Sequence, residues 1–325
     1  MVTLFERSHR VGGRVSTRVA GDLSFNHGAQ FASARDSGFA ALLDGLRDED
    51  AAVPWPAAGA GRWTGAPFMS AIPAAMGRRA AAVGVDIVLQ ATVAALVPEP
   101  DGWRVALAGV AAGASGLRNA GEGAVAVVLA VPAPGAVRLL RTVAPQVAAR
   151  LADVTMAPCW TLMLGFAGRV EAPDVLRPGT GPVSWASRDS ARPGAPPMAG
   201  HVGAAGALGV AGDSGVPGCV ERWVVQAGPT WSRAWLERSA DEVGAELLHA
   251  FAGLVGGLPA TVHGAATLWR EARTEQALGE PCVWDVTSGL GLCGDWCLGA
   301  RVEAAWASGD ALAARILSDR AAAGS

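Results

Sequence analysis

Residues 2–14 read VTLFERSHRVGGR, a strand pattern followed by a turn with paired glycines. Val2 to Glu6 is a run of apolar and β-branched residues that ends in an acid, which is typical of a buried parallel strand emerging at a ligand-binding edge. An acid in that position commonly accepts hydrogen bonds from a ribose. The glycines at 12 and 13 let the backbone approach a pyrophosphate closely, and Arg14 offers a charge-assisted fork to phosphate. The stretch therefore predicts part of a nucleotide site.

Outward from this stretch, helix and strand patterns alternate at both ends of the chain, and the middle is more strand-like. The helix patterns cover residues 36–47 (with Asp36 or Ser37 as the cap), 70–83, a segment ending at 150, 232–256 and 302–318. The strand patterns cover 85–89, 91–97, 103–107, 122–132, 160–166, 222–227 and 289–293, with loops over 188–218. This order predicts a nucleotide-binding α/β domain made of residues 1–50, 85–140 and 275–325, with a second mixed domain from 51–84 and 141–274.

Composition narrows the function. The 325 residues are 51% hydrophobic and 17% charged with a net charge of −3, so neither disorder nor bulk electrostatic binding of nucleic acid or acidic membrane is expected. The chain contains no Tyr and no Lys, and all 26 basic residues are Arg, which excludes lysine and phenol chemistry. No signal peptide stands at the N-terminus, and the longest apolar run, residues 123–137, is broken by prolines. We therefore expect a soluble, cytoplasmic protein.

The cysteines and one glycine motif carry little chemistry. Five cysteines (159, 219, 282, 293 and 297) do not predict a disulfide framework, and no ligand set completes a metal site around them. Glycines 289, 291 and 294 match G-x-G-x-x-G, but Leu290 and Leu292 between them are typical of a strand. We expect a glycine-containing strand here and not a phosphate loop.

Five blocks of sequence, taken in order, carry a family resemblance. They are residues 2–18; FNHGAQF at 25–31 followed by ARD at 34–36; SWASRDS at 184–190 with RPG at 192–194; WVVQA at 223–227 with WS at 231–232; and LCGDW at 292–296 followed by VEAAW at 302–306. The set resembles the renalase-like FAD-dependent oxidoreductases of the flavin amine oxidase superfamily, over essentially the whole chain.

The resemblance implies a fold, a cofactor and its contacts. The fold is α/β: a Rossmann-like FAD-binding domain of the p-hydroxybenzoate hydroxylase or amine oxidase type, with an inserted α+β substrate domain on a mixed or antiparallel sheet. FAD would be bound by Glu6, Arg7, Gly12, Gly13, Arg14, Gly28, Ala29, Gln30, Phe31, Val93, Gly294, Asp295, Val302 and Glu303. In this set Glu6 meets the adenosine ribose, and Val302 and Glu303 open a helix whose N–H groups point at the flavin. From the residues alone, His27 remains either a loop residue or a base, and Asp295 either a ligand or a helix cap.

The implied activity is oxidation of dihydronicotinamide isomers of NAD(P)H, with a hydride passing to flavin N5 and O2 then reduced to H2O2. This chemistry needs two rings placed face to face more than it needs an acid or base, so no catalytic side chain is predicted. Trp185, Trp223 and Trp231 are candidates for the substrate wall, and Arg188 and Arg192, expected on exposed loops, for a substrate phosphate. For each tryptophan a core role is the alternative. An amine oxidase-type enzyme acting on a small amine is the second reading, although such enzymes commonly use the lysine and tyrosines absent here.

One departure from the family pattern bears on the cofactor. Relatives begin with a strand, a G-x-G-x-x-G turn and a helix, whereas this sequence begins after those elements. We expect the true start to lie upstream of Met1, and a damaged flavoprotein is the alternative. A non-enzymatic relative without FAD, or an NAD(P)-binding module without turnover, also remains open.

Overall fold

The computed structural model describes residues 1–108, 123–196 and 220–323. The strands are β1 Val2–Phe5, β2 Arg18–Ala20, β3 Leu23–Phe25, β4 Ala32–Ser33, β5 Ala52–Pro54, β6 Arg62–Gly65, β7 Val85–Val88, β8 Val93–Glu99, β9 Gly102–Leu107, β10 Val127–Leu129, β11 Thr155–Phe166, β12 Val175–Leu176, β13 Val183–Arg188, β14 Glu221–Ala227, β15 Thr261–Gln276, β16 Val283–Asp285 and β17 Leu290–Leu292. The helices are α1 Ser37–Arg47, α2 Ala71–Ala82, α3 Ala133–Leu140, α4 Pro145–Ala149, α5 Pro229–Ala234, α6 Ala240–Val255, α7 Asp295–Leu298 and α8 Val302–Ala323. The architecture is mixed α/β, as expected.

The chain divides into two compact units. The first consists of Met1–Gly13, Pro73–Met156 and Arg273–Ser325, and the second of Arg14–Ile72 and Ala157–Ala272. Both units are assembled from separated segments, so each relies on contacts between residues that are distant in sequence. Residues 14–50, which the sequence assigns to the nucleotide-binding domain, lie in the second unit.

The first unit contains the parallel pairings. β1 pairs in parallel with β7, β10 pairs in parallel with β17, and β16 joins β17 antiparallel. β8 and β9 form an antiparallel hairpin. The core lies around Trp296, whose indole nitrogen donates to Val131 O at 3.0 Å, and Trp103, whose indole nitrogen donates to Ser288 O at 2.6 Å.

Two strands of the first unit are less buried than the sequence predicts. β1 was expected to be buried, yet Val2 is 61% and Leu4 is 40% exposed. Within the described part of the apolar run, residues 123–132, the one strand is the short β10, in which Val128 is 46% exposed. Among the described residues β1 pairs only with β7 and β10 only with β17, so neither strand lies in the interior of a sheet, where a parallel strand is covered best.

The second unit contains a five-stranded sheet in the order β12-β13-β14-β11-β15, in which the pairings from β12 to β11 are antiparallel. Helix α6 packs against β13 and β14. The core here centres on Trp223 and Phe251, whose ring centroids are 5.1 Å apart. The hairpin β2–β3 and the small sheet β4-β6-β5 complete this unit.

The helix predicted at residues 36–47 is confirmed, whereas two helices predicted later in the chain are each two separate helices in the structure. Asp36 caps α1 by accepting from the N–H groups of Gly38 and Phe39 at 2.8 and 3.0 Å. The helix expected to end at residue 150 is instead α3 and α4, because Pro145 lacks the N–H that a continuous helix needs and is suited to a first turn. Likewise the helix expected over 232–256 is α5 and α6, because Ser239 starts a new helix with a reciprocal capping box.

Candidate functional site

The loop over residues 26–31, between β3 and β4, is held by the buried carboxylate of Asp189. Asp189 accepts from the backbone N–H of Asn26 at 2.9 Å and from its side-chain amide at 2.8 Å. The amide oxygen of Asn26 in turn accepts from Thr17 Oγ1 at 2.9 Å and from Met69 N at 2.8 Å. Each polar group of Asn26 is therefore used to hold the loop.

The other end of the loop is held by Arg192 and Gln30. The Arg192 guanidinium forms an ion pair with Asp189 and donates to the carbonyl and the side-chain oxygen of Gln30. The Gln30 amide nitrogen donates to Asn26 O at 2.6 Å and to Gly28 O at 3.0 Å, so the loop is also closed across its own base. Burial lowers the pKa of Arg192, and the negative charge of Asp189 opposes that shift. The pair keeps its charges inside the protein because each one neutralises the other.

Gly28 marks the tightest point of the loop. A Cβ at this position would lie 2.1 Å from the carbonyl oxygen of Arg14, closer than any real contact. The Gly28 carbonyl also accepts from the side chain of Gln226 at 2.9 Å, and the neighbouring Ala29 N–H donates to Arg14 O at 2.9 Å. The backbone of 28–29 is thus pressed against residues 14–16 and has no room for a side chain at Gly28.

His27 lies in the same loop as a neutral imidazole. Burial, with a smaller contribution from the positive charge of Arg18, lowers its pKa from 6.5 to about 4. Its Nε2 lies 3.2 Å from Ser16 Oγ, while Nδ1 is buried without a hydrogen-bond partner in the described residues. Trp269 packs on the ring at 4.9 Å and donates to the His27 carbonyl at 3.0 Å. A base at this position would start in the form that can accept a proton.

In the first unit, Glu6 and the paired glycines follow β1 as the sequence predicts. The Glu6 N–H donates to Val88 O at 2.9 Å, which fixes the residue at the end of the parallel pair, and its carboxylate accepts from Ser8 N at 2.7 Å. Gly13 has φ +52°, and a Cβ there would meet no atom within 4 Å. The turn therefore presents a carboxylate and an open backbone surface, which is the chemistry a ribose and a pyrophosphate require.

The closing segment of the first unit brings two acids to the start of helices. Asp295 is the first residue of α7, is 5% exposed, and accepts from Thr274 Oγ1 at 3.0 Å. Val302 is the first residue of the 22-residue helix α8, and the adjacent Glu303 is 4% exposed and lies 3.6 Å from Arg301. The first N–H groups of a helix have no acceptor within it, so the start of α8 suits a partial negative charge on a ligand. The donors and acceptors present are compatible with FAD.

The remaining predicted cofactor contacts are placed as follows. Arg7 is exposed, Val93 opens β8 against the core of the first unit, and Arg14 donates to Ala272 O at 3.1 Å within the second unit. Gly294 is the cap that precedes α7. Phe31 is half-buried and packs against Trp185 with ring centroids 5.2 Å apart.

The predicted substrate residues are two arginines and three tryptophans. The arginines were expected to be exposed, and this expectation is wrong. Arg188 ends β13 at 3% exposure, paired with Glu221 and, at 2.7 Å, with Asp174. Arg192 is 4% exposed in the network under the loop. Both arginines are buried because acidic residues and carbonyl oxygens surround them, a tertiary arrangement that a Gly- and Pro-rich sequence does not reveal.

Trp223 is also buried, whereas Trp185 is slightly exposed and Trp231 is half-buried. Trp223 is fully buried below the Arg188 guanidinium at 4.7 Å. Trp231 is half-buried and stacks on Trp235 with centroids 4.7 Å apart. Trp185 is 8% exposed, and its indole N–H has no hydrogen-bond partner in the described residues. Of the three, Trp185 alone has a buried indole N–H without a partner in the described residues.

Cysteines and metal-binding groups add nothing to the site. Cys282, Cys293 and Cys297 are free thiols, Cys159 lies in β11, and Cys219 lies outside the described residues. Burial raises the pKa of Cys293 to about 12 and that of Cys297 to about 11, which makes both weak nucleophiles. No group of three or more His, Cys, Asp or Glu within the described ranges could hold a metal ion. No described helix combines the length and hydropathy needed to cross a membrane.

Sequence reasoning missed the residues that hold the loop from outside it. Asp189 and Asn26 are 163 positions apart, and Gln226 and Gly28 are 198 positions apart. The sequence feature that could have pointed to them is a polar residue within an apolar stretch, such as Gln226 near the end of WVVQA.

No protein-family model matches the sequence. Among solved structures, the chain is similar to an oxidoreductase from Methanosarcina mazei, at 12% identity and TM-score 0.58, covering 94% of this chain and 92% of that one. It is also similar to the A394C mutant of a putrescine oxidase redesigned for cofactor binding, at 12% identity and TM-score 0.60 over 98% and 92%. A cyclohexylamine oxidase from Brevibacterium oxydans IH-35A matches at 14% identity and TM-score 0.50, over 80% of this chain.

The coverage of the other chains varies. This chain spans 55% of the cyclohexylamine oxidase and, in another match, 48% of the longer chain, but more than nine tenths of the putrescine oxidase. At identities of 12 to 14% these likenesses are evidence of fold. The protein therefore has the same mixed α/β fold as these solved structures.

Proposed function

We propose that this protein is an FAD-dependent oxidoreductase of the renalase-like kind, which oxidises dihydronicotinamide isomers of NAD(P)H and uses O2 as the final acceptor. The observation that carries the proposal is the fold, shared over 94% of the chain with an oxidoreductase and over 98% with a putrescine oxidase. Fold alone does not assign chemistry, so the site residues must support it independently.

In this proposal FAD is held by the residues that the sequence singles out. The Glu6 carboxylate accepts from the adenosine ribose, the backbone at Gly12 and Gly13 lies along the pyrophosphate, and Arg14 adds a phosphate contact. Asp295 and the first turn of α8 at Val302 and Glu303 hold the ribityl and ring end. The open space at Gly13 and the acceptor chemistry of Glu6 support these roles.

The loop of residues 26–31 supplies rigidity beside the flavin ring. Its side chains Asn26 and Gln30 are committed to internal hydrogen bonds, and Asp189 and Arg192 fix both ends. A loop held in this way keeps a bound ring and its substrate in one geometry. Gly28, Ala29 and Phe31 are the members of the loop proposed to lie along the ring.

The substrate assignment depends on which groups the chain lacks. When bound, FAD supplies a two-electron acceptor that takes a hydride from the substrate and returns the electrons to O2. Removing a hydride from a dihydronicotinamide leaves an aromatic pyridinium, so the protein has to orient the ring and has no proton to remove. A sequence without lysine or tyrosine can do this.

An amine oxidase acting on a small amine is the second candidate, favoured by the likeness to putrescine and cyclohexylamine oxidases. An amine must lose its proton before hydride transfer, so this alternative requires a base. His27 is the base that the sequence leaves open, but burial lowers its pKa to about 4, which makes it a weak base towards an ammonium group. A protein that binds no FAD is the third reading.

The test begins with the visible spectrum of the purified chain, as isolated and after FAD is added and excess removed. Flavin absorption bands that stay with the protein support the proposal, and a colourless protein in both samples rejects it. The yellow protein is then mixed anaerobically with NADH isomers reduced at the 2- or 6-position of the ring, with NADH itself, and with putrescine. Bleaching by the isomers alone supports the first candidate; bleaching by putrescine alone supports the amine oxidase.

A further inference from the structure

Two arginines of the second unit converge on the aromatic rings of Phe31 and Trp185. The Arg62 guanidinium carbon lies 4.4 Å from the centre of the Phe31 ring. The Arg177 guanidinium carbon lies 4.8 Å from the Trp185 ring and 6.0 Å from the Phe31 ring. A Cβ at Gly59 would be 3.9 Å from Arg177 Nη2 and 4.0 Å from Arg62 Nε, so both guanidinium groups border the same point.

The positive charge of these two side chains is not neutralised within the described residues. Arg62 donates to Ser33 Oγ and Arg177 to Ala58 O, and neither guanidinium has a carboxylate within ion-pair distance in the described part of the chain. Each guanidinium carries five N–H donors and spends one side-chain hydrogen bond on the protein. Desolvation, followed by the charges of Arg177 and Arg35, lowers the pKa of Arg62. Like charges held this close favour a counter-anion.

The floor of the surface offers a further donor. Trp185 is 8% exposed, and its indole N–H is buried with no hydrogen-bond partner in the described residues. Buried donors normally have an acceptor, so the unused N–H of the ring that Arg177 covers is a further donor available in this cluster. Arg177 is exposed and Arg62 half-buried, which leaves the cations accessible from solvent.

We propose that Arg62 and Arg177, over the rings of Phe31 and Trp185, form a binding subsite for the anionic group of an aromatic ligand. The rings below support the two guanidinium groups, which bind the phosphate or carboxylate of the ligand through charge-assisted hydrogen bonds. A cationic amine is repelled by the same pair. Assigning the ligand as substrate rests on the proposed function and favours an anionic nucleotide over an amine, whereas affinity for the anion itself does not depend on FAD.

The test uses two matched pairs of probes that differ only in the anionic group: nicotinamide mononucleotide against nicotinamide riboside, and nicotinate against nicotinamide. Binding to the purified chain, without and with added FAD, is measured by calorimetry and by quenching of tryptophan fluorescence. We expect an anionic probe to bind roughly tenfold or more tightly than its partner, and this preference to disappear in Arg177→Gln and in Arg62→Gln/Arg177→Gln. Preference for the mononucleotide identifies phosphate as the recognised group, and preference for nicotinate alone identifies carboxylate.

The control is Arg238→Gln, which removes an exposed arginine of the same unit that pairs with Glu242 at 3.4 Å. It should keep the preference for the anion. The proposal is overturned if neither anionic probe binds more tightly than its neutral-group partner, or if the preference survives in Arg177→Gln. The flavin spectrum is recorded on the same samples, so the two proposals can fail separately. A colourless protein that keeps the anion preference rejects the flavoenzyme and supports the subsite. A yellow protein without the anion preference supports the flavoenzyme and rejects the subsite.

Discussion

Asp189 and Arg192 form an ion pair in which each side chain is only 1% exposed, and both partners also hold the loop of residues 26–31. The pair lies across one turn of chain at the end of β13, three positions apart, so its geometry is set locally. Its effect is long-range, because the loop it fixes begins 163 positions earlier. The conformation of the loop proposed to lie along the flavin therefore depends on two buried charges.

Replacing Asp189 with alanine should destabilise the protein strongly, because it leaves the Arg192 charge buried without compensation. Loss of one partner of such a pair costs about 3–5 kcal/mol of unfolding free energy, measured by urea denaturation. The control is Asp44→Ala, which breaks an ion pair with Arg47 whose side chains are about half exposed and should cost about 0–1 kcal/mol. Equal effects of the two substitutions would contradict a structural role for the buried pair.

Gly28→Ala should destabilise the loop through a steric clash. The new Cβ would lie 2.1 Å from Arg14 O, a backbone atom that cannot move aside cheaply, and overpacking of this kind costs about 1–3 kcal/mol. Gly253→Ala is the matched control, since this exposed glycine in α6 has no atom within 4 Å of an added Cβ. That variant should gain about 0.5–1 kcal/mol from helix propensity. If both variants shift the urea midpoint in the same direction, the close approach at Gly28 is wrong.

His27 should make stability fall as the solution is acidified. Its folded-state pKa is lowered to about 4 from the 6.5 of an exposed imidazole, so between these values the unfolded chain binds more protons. The free energy of unfolding that depends on neutral His27 is retained in full above about pH 6.5. It falls as the pH falls towards 4, by up to about 3 kcal/mol at 1.36 kcal/mol per pH unit. His27→Gln should flatten this part of the stability curve. The exposed His249 on α6, changed to Gln, controls for loss of an imidazole elsewhere; a curve for His27→Gln that parallels wild type would reject the prediction.

Asp295→Ala should abolish flavin retention if Asp295 is a cofactor ligand, because a buried acceptor at the start of α7 is removed. The measurement is the ratio of flavin to protein absorbance after gel filtration, with far-ultraviolet circular dichroism to verify folding. Asp310→Ala, at an exposed position of α8, should retain flavin as the wild type does. A folded Asp295→Ala protein with full flavin occupancy would leave Asp295 as a helix-starting residue only.

Features encoded by neighbouring residues were predictable from the sequence. The Asp36 cap of α1, the strand ending at Glu6 with its paired glycines, and the helix starting at Val302 all depend on residues within one or two turns of chain, and the structure contains them. The strand predicted over Gly289–Cys293, in preference to a phosphate loop of the G-x-G-x-x-G type, is likewise present as β17. Such signals can be read because capping, turn chemistry and hydrophobic periodicity act locally.

The tertiary structure alone decided which charges are buried and which groups converge. Arg188 stands in a polar stretch, yet Glu221 and Asp174 bury it in the second unit, and Arg177 reaches the aromatic floor from far along the chain. The free energy of a buried charge depends on partners that the chain path brings together, which no local pattern specifies. Sequence by itself thus determined the class of fold and predicted residues for a nucleotide site, whereas packing determined how the loop is held and where the two arginines converge.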